Sequence, residues 1–524
     1  LMYKPIDADV IIVGSGVAGL SAAFCLHLKE PTLHFIILEG NANIGGRAFS
    51  VPLAVGNDGE STSYFDVGGQ WICSEQNLLL DLLDTLGIPL TAQQKQGKVI
   101  VEHRNMYAVH SVQDLFNFLG PYDKLQFTIF IDKVEALCSN IKESEDIRHM
   151  DALNKLTLKE FIDNSIKSEA VRAVIEYIVL LNCGVRTSQI SALFYIFFCI
   201  STKGIANQMP TEKTNLHELR IKGGVKYFCD RIVEEIGMQS IFTEEYVTGI
   251  HTNDGYVEIK TKGNTYYSYN VIVAVSPGDV LKIKFRPPLP RNKIDAISNT
   301  STNAVTNFVV TYPRDFWTEE GFCGDIYIFD KDYTNGPIDF CMNIDNNDQR
   351  PAITGRIFNS GPVKGNHRTY SNDVLEQLFR YFGEEALYPV DYYEKSFSLG
   401  LSQMTCWYLG NIDYINSISS ANGRIFWAGA ETSSEWYGCL AGAVYSGNRA
   451  ALEVLYDLRP QLLTTDDMMI LSPTRRSLRA RLRECPKENV YYVVVHWKYY
   501  LSVSLLVLIV LWRLRTRYLK WNQQ

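Results

Sequence analysis

The sequence has no CxxC pair and no His/Cys cluster with metal-ligand spacing, so zinc and iron–sulfur centres are excluded and no metal site is expected. Its 11 cysteines are odd in number and scattered, which fits free, buried thiols in a reducing compartment rather than a disulfide framework. A basic excess is missing too. The net charge is −8, which argues against a nucleic-acid partner. There is no repeat and no low-complexity tract. No export signal is expected in the first residues: Leu1–Asp9 is short and polar, and the first apolar run, Val10–Val13, leads straight into a glycine loop. Met2 follows Leu1, which leaves room for an upstream piece.

What is present is 524 residues of ordinary globular composition, enough for two or three folding units. The charge is uneven. Residues 471–524 carry 11 Lys/Arg against 2 Asp/Glu, so the rest of the chain is at −17. Within that basic tail, Tyr499–Trp512 has no charged residue. Counted back to Val490, the apolar stretch reaches 23 residues, interrupted by His496 and Lys498. About 20 residues span a bilayer as a helix. Tyr499, Tyr500, Trp512 and Tyr518 fit an interfacial belt, and Arg513, Arg515, Arg517 and Lys520 follow. The expectation is a transmembrane tail anchor at 490–512 behind a basic linker at 459–489.

Periodicity places the remaining elements. Val10–Val13, Gly14–Gly19 and Leu20–Leu28 read as strand, glycine turn and helix, and Phe35–Leu38 as a second buried strand. This βαβ unit requires a parallel sheet covered by helices. Asn77–Leu86 reads as helix, as do Leu125–Ser139, Leu158–Ser165, Ser168–Leu181 and Gly223–Ile236. Tyr246–His251, Val257–Thr261, Val271–Val275, Thr306–Tyr312, Gly355–Phe358 and Ile425–Trp427 read as strands, and Thr432–Leu458 as largely helical. Pro287, Pro288 and Pro290 mark a crossover.

The first turn carries the chemistry. Gly14-Ser15-Gly16-Val17-Ala18-Gly19 follows a strand and opens a helix, and Glu39 ends the next strand. The first glycine permits the turn, the second lets backbone approach a pyrophosphate, and the third lets helix and strand pack closely. The helix N-terminus faces the phosphates, and Glu39 accepts from the adenosine ribose. In this context the motif predicts a dinucleotide site.

Later motifs choose the dinucleotide. They are Gly45-Gly46-Arg47, Asp66-Val67-Gly68-Gly69-Gln70-Trp71 and Gly423-Arg424-Ile425-Phe426-Trp427-Ala428-Gly429-Ala430-Glu431-Thr432. The chain resembles the flavin amine oxidase superfamily. Ser191-Ala192-Leu193-Phe194, Phe285–Pro290, Phe316-Trp317, Trp436–Cys439 and the terminal anchor make it similar to the monoamine oxidase branch in particular. The resemblance covers about residues 8–458 plus the tail. It implies an α/β fold: a Rossmann-type FAD-binding domain (8–90, 220–290 and 398–458) intertwined with an α+β substrate domain of mixed sheet and helices (91–219 and 291–397). It implies FAD met by Gly14, Gly16, Gly19, Gly46 and Arg47 at the pyrophosphate, Glu39 at the ribose and Val247 at the adenine. Gly69, Gln70, Trp71, Gly429, Glu431 and Leu440 surround the ring. The implied reaction is oxidative deamination of an amine, with O2 reoxidising the flavin to hydrogen peroxide. The implied location is the mitochondrial outer membrane with the catalytic body in the cytosol, and a homodimer is compatible with it.

Three features depart from that family. The position of a lysine that holds a water against the flavin is Asn307, which carries no charge. The cysteine that tethers FAD in monoamine oxidases falls on Gln403 when aligned from Gly410, or on Cys406 when aligned from Phe397. Trp407–Gly410 resembles the polyamine oxidase version and favours the first, hence a non-covalent FAD. The two rings that cage the amine are replaced by Met404 and Cys439, leaving Trp436, Tyr437 and Phe340 as candidate walls; His217 stands where a pocket glutamine is usual. Two alternatives therefore accompany the amine oxidase reading. One is a non-catalytic or altered flavoprotein keeping the fold. The other is a polyamine or amino-acid oxidase, the latter needing a buried Arg or Lys that the sequence does not reveal.

Overall fold

Val10, Ile11, Ile12 and Val13 are buried on both faces, as a central parallel strand requires. Ala8–Val13 pairs in parallel with Phe35–Leu38 on one side and with the second half of Thr265–Val273 on the other. Ile241–Phe242 extends this parallel core beyond Phe35–Leu38, and Ile425–Trp427 adds to Thr265–Val273. The first half of Thr265–Val273 turns antiparallel against Val257–Thr261, which continues to Val247–Thr252 and Lys284–Arg286 and makes eight strands. The computed structural model describes residues 6–475 except 57–58, 60, 94–95, 104, 144–146, 212–214, 302–303, 330–335, 345–350, 360–368, 398–405 and 408–413.

A second sheet has seven strands in the order Asp391–Phe397, Ala304–Thr311, Ala352–Asn359, Phe340–Asn343, Phe322–Ile328, Lys98–His103, Asn105–Val109. All its pairings are antiparallel except Phe322–Ile328 with Lys98–His103. The fold is thus a mixed α/β one. Phe308, Trp317, Ile326, Ile338 and Leu378 form the core on this sheet.

The helices start and stop on local chemistry. Thr157 and Glu160 make a reciprocal capping box for Leu158–Ser165. Ser168 and Ser191 cap Glu169–Cys183 and Ala192–Ser201 through Val171 N–H and Phe194 N–H. Gly184, at φ 71°, ends the former. Helix Val17–Lys29 lies against Leu440–Leu458 at backbone distance: a Cβ added to Gly447 would stand 2.3 Å from Ala18 O.

Several boundaries differ from the sequence reading. The strand expected at Val271–Val275 is Thr265–Val273, because its tyrosine-rich half joins the antiparallel ribbon. The helix expected from Thr432 runs unbroken only from Leu440, since Trp436 turns the backbone into the left-handed region at φ 51°. The segment expected to be a linker after Leu458 is folded at its start: helix Thr465–Arg475 is tied to the first helix by Lys29 Nζ, which donates to Asp467 at 2.7 and 2.8 Å. Among the described residues no helix is long and apolar enough to cross a membrane. The expected anchor at 490–512 lies outside them.

Candidate functional site

The glycine turn shows three different uses of glycine. Gly14 sits at φ 103°, and a Cβ there would stand 2.8 Å from Ala274 O. A Cβ on Gly19 would stand 2.0 Å from Gly14 O, so the helix packs on the turn only without one. At Gly16 a Cβ would meet nothing within 4 Å, because this residue faces a cavity. These are the turn, packing and approach roles of a dinucleotide loop. No side chain caps the helix that starts at Val17, and no acidic residue occupies its first turn. Its positive end is open to an anion.

The cavity encloses about 1560 Å³, its open mouth included. One end is lined by Gly14, Gly16, Glu39, Gly46, Arg47 and Ser276. Glu39 is buried, and its carboxylate is held at both oxygens. Ser15 N–H and hydroxyl donate to Oε2 at 2.9 and 2.7 Å, and Asn41 N–H and side-chain amide donate to Oε1 at 2.9 Å each. Arg47 forms a bidentate pair with the buried Glu431, its Nη2 donating to Oε2 at 2.8 Å. Burial pulls the Arg47 pKa down, but the Glu431 charge and hydrogen bonds outweigh it and raise it. Arg449 fastens the Trp427–Thr432 turn to the long helix: it donates to Thr432 O and Trp427 O at 2.6 Å each. Ser446 hydroxyl accepts from Gly429 N–H at 3.0 Å.

The other end is walled by Trp71, Phe198, Leu216, His217, Val305, Phe397, Tyr437 and Cys439. The His217 ring meets Trp71 edge-on at 5.5 Å, and Tyr437 is wedged edge-on between Phe194 and Phe197. Burial pushes the Cys439 thiol up to about 12, so it is a neutral wall group at pH 7. Asn307 also lines this end. Its Nδ2 donates to Val67 O at 2.8 Å, and its buried Oδ1 has no partner among the described residues. On the sheet it stands between Arg356 on Ala352–Asn359 and Lys395 on Asp391–Phe397. Arg356 lines the cavity as well, and the Lys395 ammonium lies 3.4 Å over the Phe49 ring.

The structure therefore brings Gly14, Gly16, Glu39, Gly46, Arg47, Gly69, Gln70, Trp71, His217, Asn307, Gly429, Cys439 and Leu440 to one cavity. Gly19 and Glu431 stand behind its wall, as a packing glycine and as the partner of Arg47. Val247 and Phe340 do not line it. Val247 is a buried strand residue, and the Phe340 ring packs behind the wall against Tyr327 and His217 at 5.4 and 6.0 Å. Trp436 is likewise buried outside the lining: the turn it makes delivers its neighbour Tyr437 instead. Met404 and Gln403 lie outside the described residues, as does the Cys406 side chain. The sequence reading missed Ser15, Asn41, Arg449 and Arg356. For Arg356 a signal existed: a lone arginine in the strand Ile353-Thr354-Gly355-Arg356-Ile357-Phe358 needs a partner if that strand is buried.

The residues present fit FAD. A cradle at Gly16, an uncapped helix end and the buried carboxylate of Glu39 line one end, and apolar walls line the other. Comparison with known proteins agrees. Residues 17–455 match the family described as flavin containing amine oxidoreductase. A flavin-containing amine oxidase of Oncorhynchus mykiss is 28% identical over 469 residues, 86% of each chain. A probable flavin-containing monoamine oxidase A of Dictyostelium discoideum is 26% identical, over 85% of this chain and 97% of that one. Among solved structures, the cyclohexylamine oxidase of Brevibacterium oxydans superposes with a TM-score of 0.76 at 22% identity, covering 86% of this chain and 99% of that one. Putrescine oxidase bound to putrescine does so at 0.74 and 23%, with the same coverage. At that identity the structural likeness carries the fold.

Proposed function

The chain belongs to the flavin-containing amine oxidoreductase family and is an FAD-dependent amine oxidase, and from that premise we propose which residues do the work. The observation that carries the assignment is the single cavity joining the glycine turn, Glu39 and Arg47 to the Asn307 end. Gly16 and the N-terminus of Val17–Lys29 receive the pyrophosphate, with Arg47 held in place by Glu431. Glu39 exchanges a donor from Ser15 or Asn41 for a ribose hydroxyl. Val247 serves the adenine through its backbone. Gly69, Gln70, Trp71, Gly429 and Leu440 border the ring. The chemistry supplied by bound FAD is two-electron oxidation of a C–N bond, with return of the electrons to O2 as hydrogen peroxide.

The chain's own groups then orient and exclude. Trp71, Phe198, Tyr437 and Cys439 form a dry wall around the amine; a dry wall strengthens every polar contact inside it. With its amide nitrogen committed to Val67 O, Asn307 presents an oxygen, an acceptor for a water or an amine N–H. His217 sets one edge of the wall through Trp71, and Phe340 supports His217 from behind. Met404 joins the wall in the same reading. FAD is held without a covalent tether. Residues 8–90, 220–290 and 398–458 make the FAD-binding domain, and 91–219 with 291–397 make the substrate domain, a division supported by the two separate sheets.

Residues 490–512 anchor the chain in a membrane, the mitochondrial outer membrane by analogy with monoamine oxidases, and two copies associate there. Carbonate extraction of the full chain and of a chain ending at 489 tests the anchor: only the shorter one is released.

The deciding measurement is the visible spectrum of detergent-purified protein during anaerobic addition of primary amines, secondary amines, polyamines and amino acids. Flavin bands that bleach with one class and return with air establish the reaction. Bands that bleach with none overturn the catalytic reading and leave a non-catalytic flavoprotein.

A further inference from the structure

Arg356 is 9% exposed and lines the cavity opposite Asn307. A guanidinium has five N–H donors. Here Nη1 donates to Leu181 O at 2.9 Å, and among the described residues no carboxylate pairs with the group. Two other arginines near the cavity are not left this way. Arg47 has Glu431, and Arg449 has two carbonyls, the Thr432 hydroxyl and Glu453 at 3.6 Å. Burial pulls the Arg356 pKa down, opposed only by Tyr177, so nothing acidic compensates it. A buried cation without a counter-ion is costly, and a site that keeps one gains when an anion arrives.

We propose that Arg356 anchors the carboxylate of the substrate, so that the amine oxidised in this cavity is an amino acid with an apolar side chain. This deepens the function proposed above and rests on it. Arginine is the side chain suited to bidentate carboxylate recognition. The unpartnered Oδ1 of Asn307 stands at the neighbouring position on the same sheet face, where directly opposed Cβ atoms lie about 5 Å apart. One group takes the carboxylate and the other an amine N–H. The side chain of the substrate then meets Trp71, Phe198, Leu216, Val305 and Tyr437. Among the described residues the two acids that line the cavity, Glu39 and Asp279, stand at the glycine-turn end, so a second ammonium of a polyamine finds no counter-ion among them beside Asn307. The reaction balances with O2 and water alone. The α C–H and an amine N–H are lost as two electrons and two protons that reduce O2 to hydrogen peroxide. Water then replaces the imine nitrogen, giving a 2-oxo acid and ammonia, and the carboxylate is unchanged.

The test uses holoenzyme and two readouts. Calorimetric titration with 3-phenylpropanoate, which has the carboxylate but no amine, is expected to show binding that weakens at least tenfold in Arg356→Met and less in Arg356→Lys. Absence of binding to the wild type, or equal binding by Arg356→Met, overturns the proposal. Anaerobic flavin reduction by phenylalanine is expected to exceed that by 2-phenylethylamine at least tenfold. Reduction by the amine but not the amino acid overturns the anchor while leaving amine oxidation intact. Reduction by neither, with Arg356-dependent binding of 3-phenylpropanoate, supports the carboxylate site and sinks the oxidase reading. Where Arg356→Met fails to fold, the wild-type comparison of the two substrates decides.

Discussion

Glu39 accepts four hydrogen bonds from Ser15 and Asn41 while buried beside the glycine turn. Glu39→Ala removes the ribose acceptor and leaves those donors unsatisfied. We expect the flavin-to-protein ratio after gel filtration to fall at least tenfold; an unchanged ratio would remove Glu39 from the site. Asn307 sits between two cations in register, Arg356 and Lys395. Asn307→Lys adds a third charge and takes the donor away from Val67 O, which should destabilise the protein by about 1–2 kcal/mol. It should also speed reoxidation by O2, because positive charge then faces the developing anion; urea unfolding and stopped-flow spectra check the two effects. Asp66 is a pH-dependent case. Burial raises its carboxyl to about 6, against the lowering effect of the Ser50 hydroxyl, Val225 N–H and Arg220. The group's contribution is fully present below about pH 3, where the carboxyl is protonated in both states, and it is lost as pH rises from there through 6. Relative to Asp66→Asn, the wild type should therefore lose roughly 3 kcal/mol of unfolding free energy between pH 3 and pH 8. A flat difference across that range would contradict the assignment.

Helix Val17–Lys29 and helix Leu440–Leu458 meet at Gly447, and this contact joins the glycine-turn end of the cavity to the Gly429 turn. Gly447→Ala pushes a methyl group into Ala18 O and Ala22 N, at 2.3 and 3.0 Å. We expect a loss of about 2 kcal/mol in urea unfolding and weaker FAD retention, because the helix whose N-terminus opens on the cavity is displaced. Gly263→Ala, where a Cβ meets nothing within 4 Å, is the control and should stay within about 0.5 kcal/mol. Much of this layer was legible in the sequence. The run Val10–Val13 and the spacing of Gly14, Gly16 and Gly19 act on near neighbours, so they signal without tertiary context. Strands Ser50–Val55, Ser61–Asp66, Lys98–His103 and Phe322–Ile328 were not read. They are short or interrupted by polar residues, and pairing across the chain is what stabilises them.

The cavity collects groups from residues 14 to 443, so FAD binding and folding are one equilibrium for the compact unit that holds the described residues. Free FAD at 100 times its Kd should raise the unfolding free energy by about 2.7 kcal/mol, seen as a single shifted transition. An unshifted transition, or a part of the unit melting independently of FAD, would argue against a site built from all of these segments. Sequence alone determined the βαβ start, the acid Glu39 at the end of its second strand, the family resemblance and the absence of a lysine at Asn307, because turn chemistry and strand period are written in adjacent residues. Only the tertiary structure decided that Arg47 is held by Glu431, 384 residues away, and that Phe340 lies behind the wall rather than in it. It alone placed Arg356, which has no carboxylate partner among the described residues, beside Asn307. Sheet register makes such neighbours, and register is set by burial of whole faces rather than by any local run of residues.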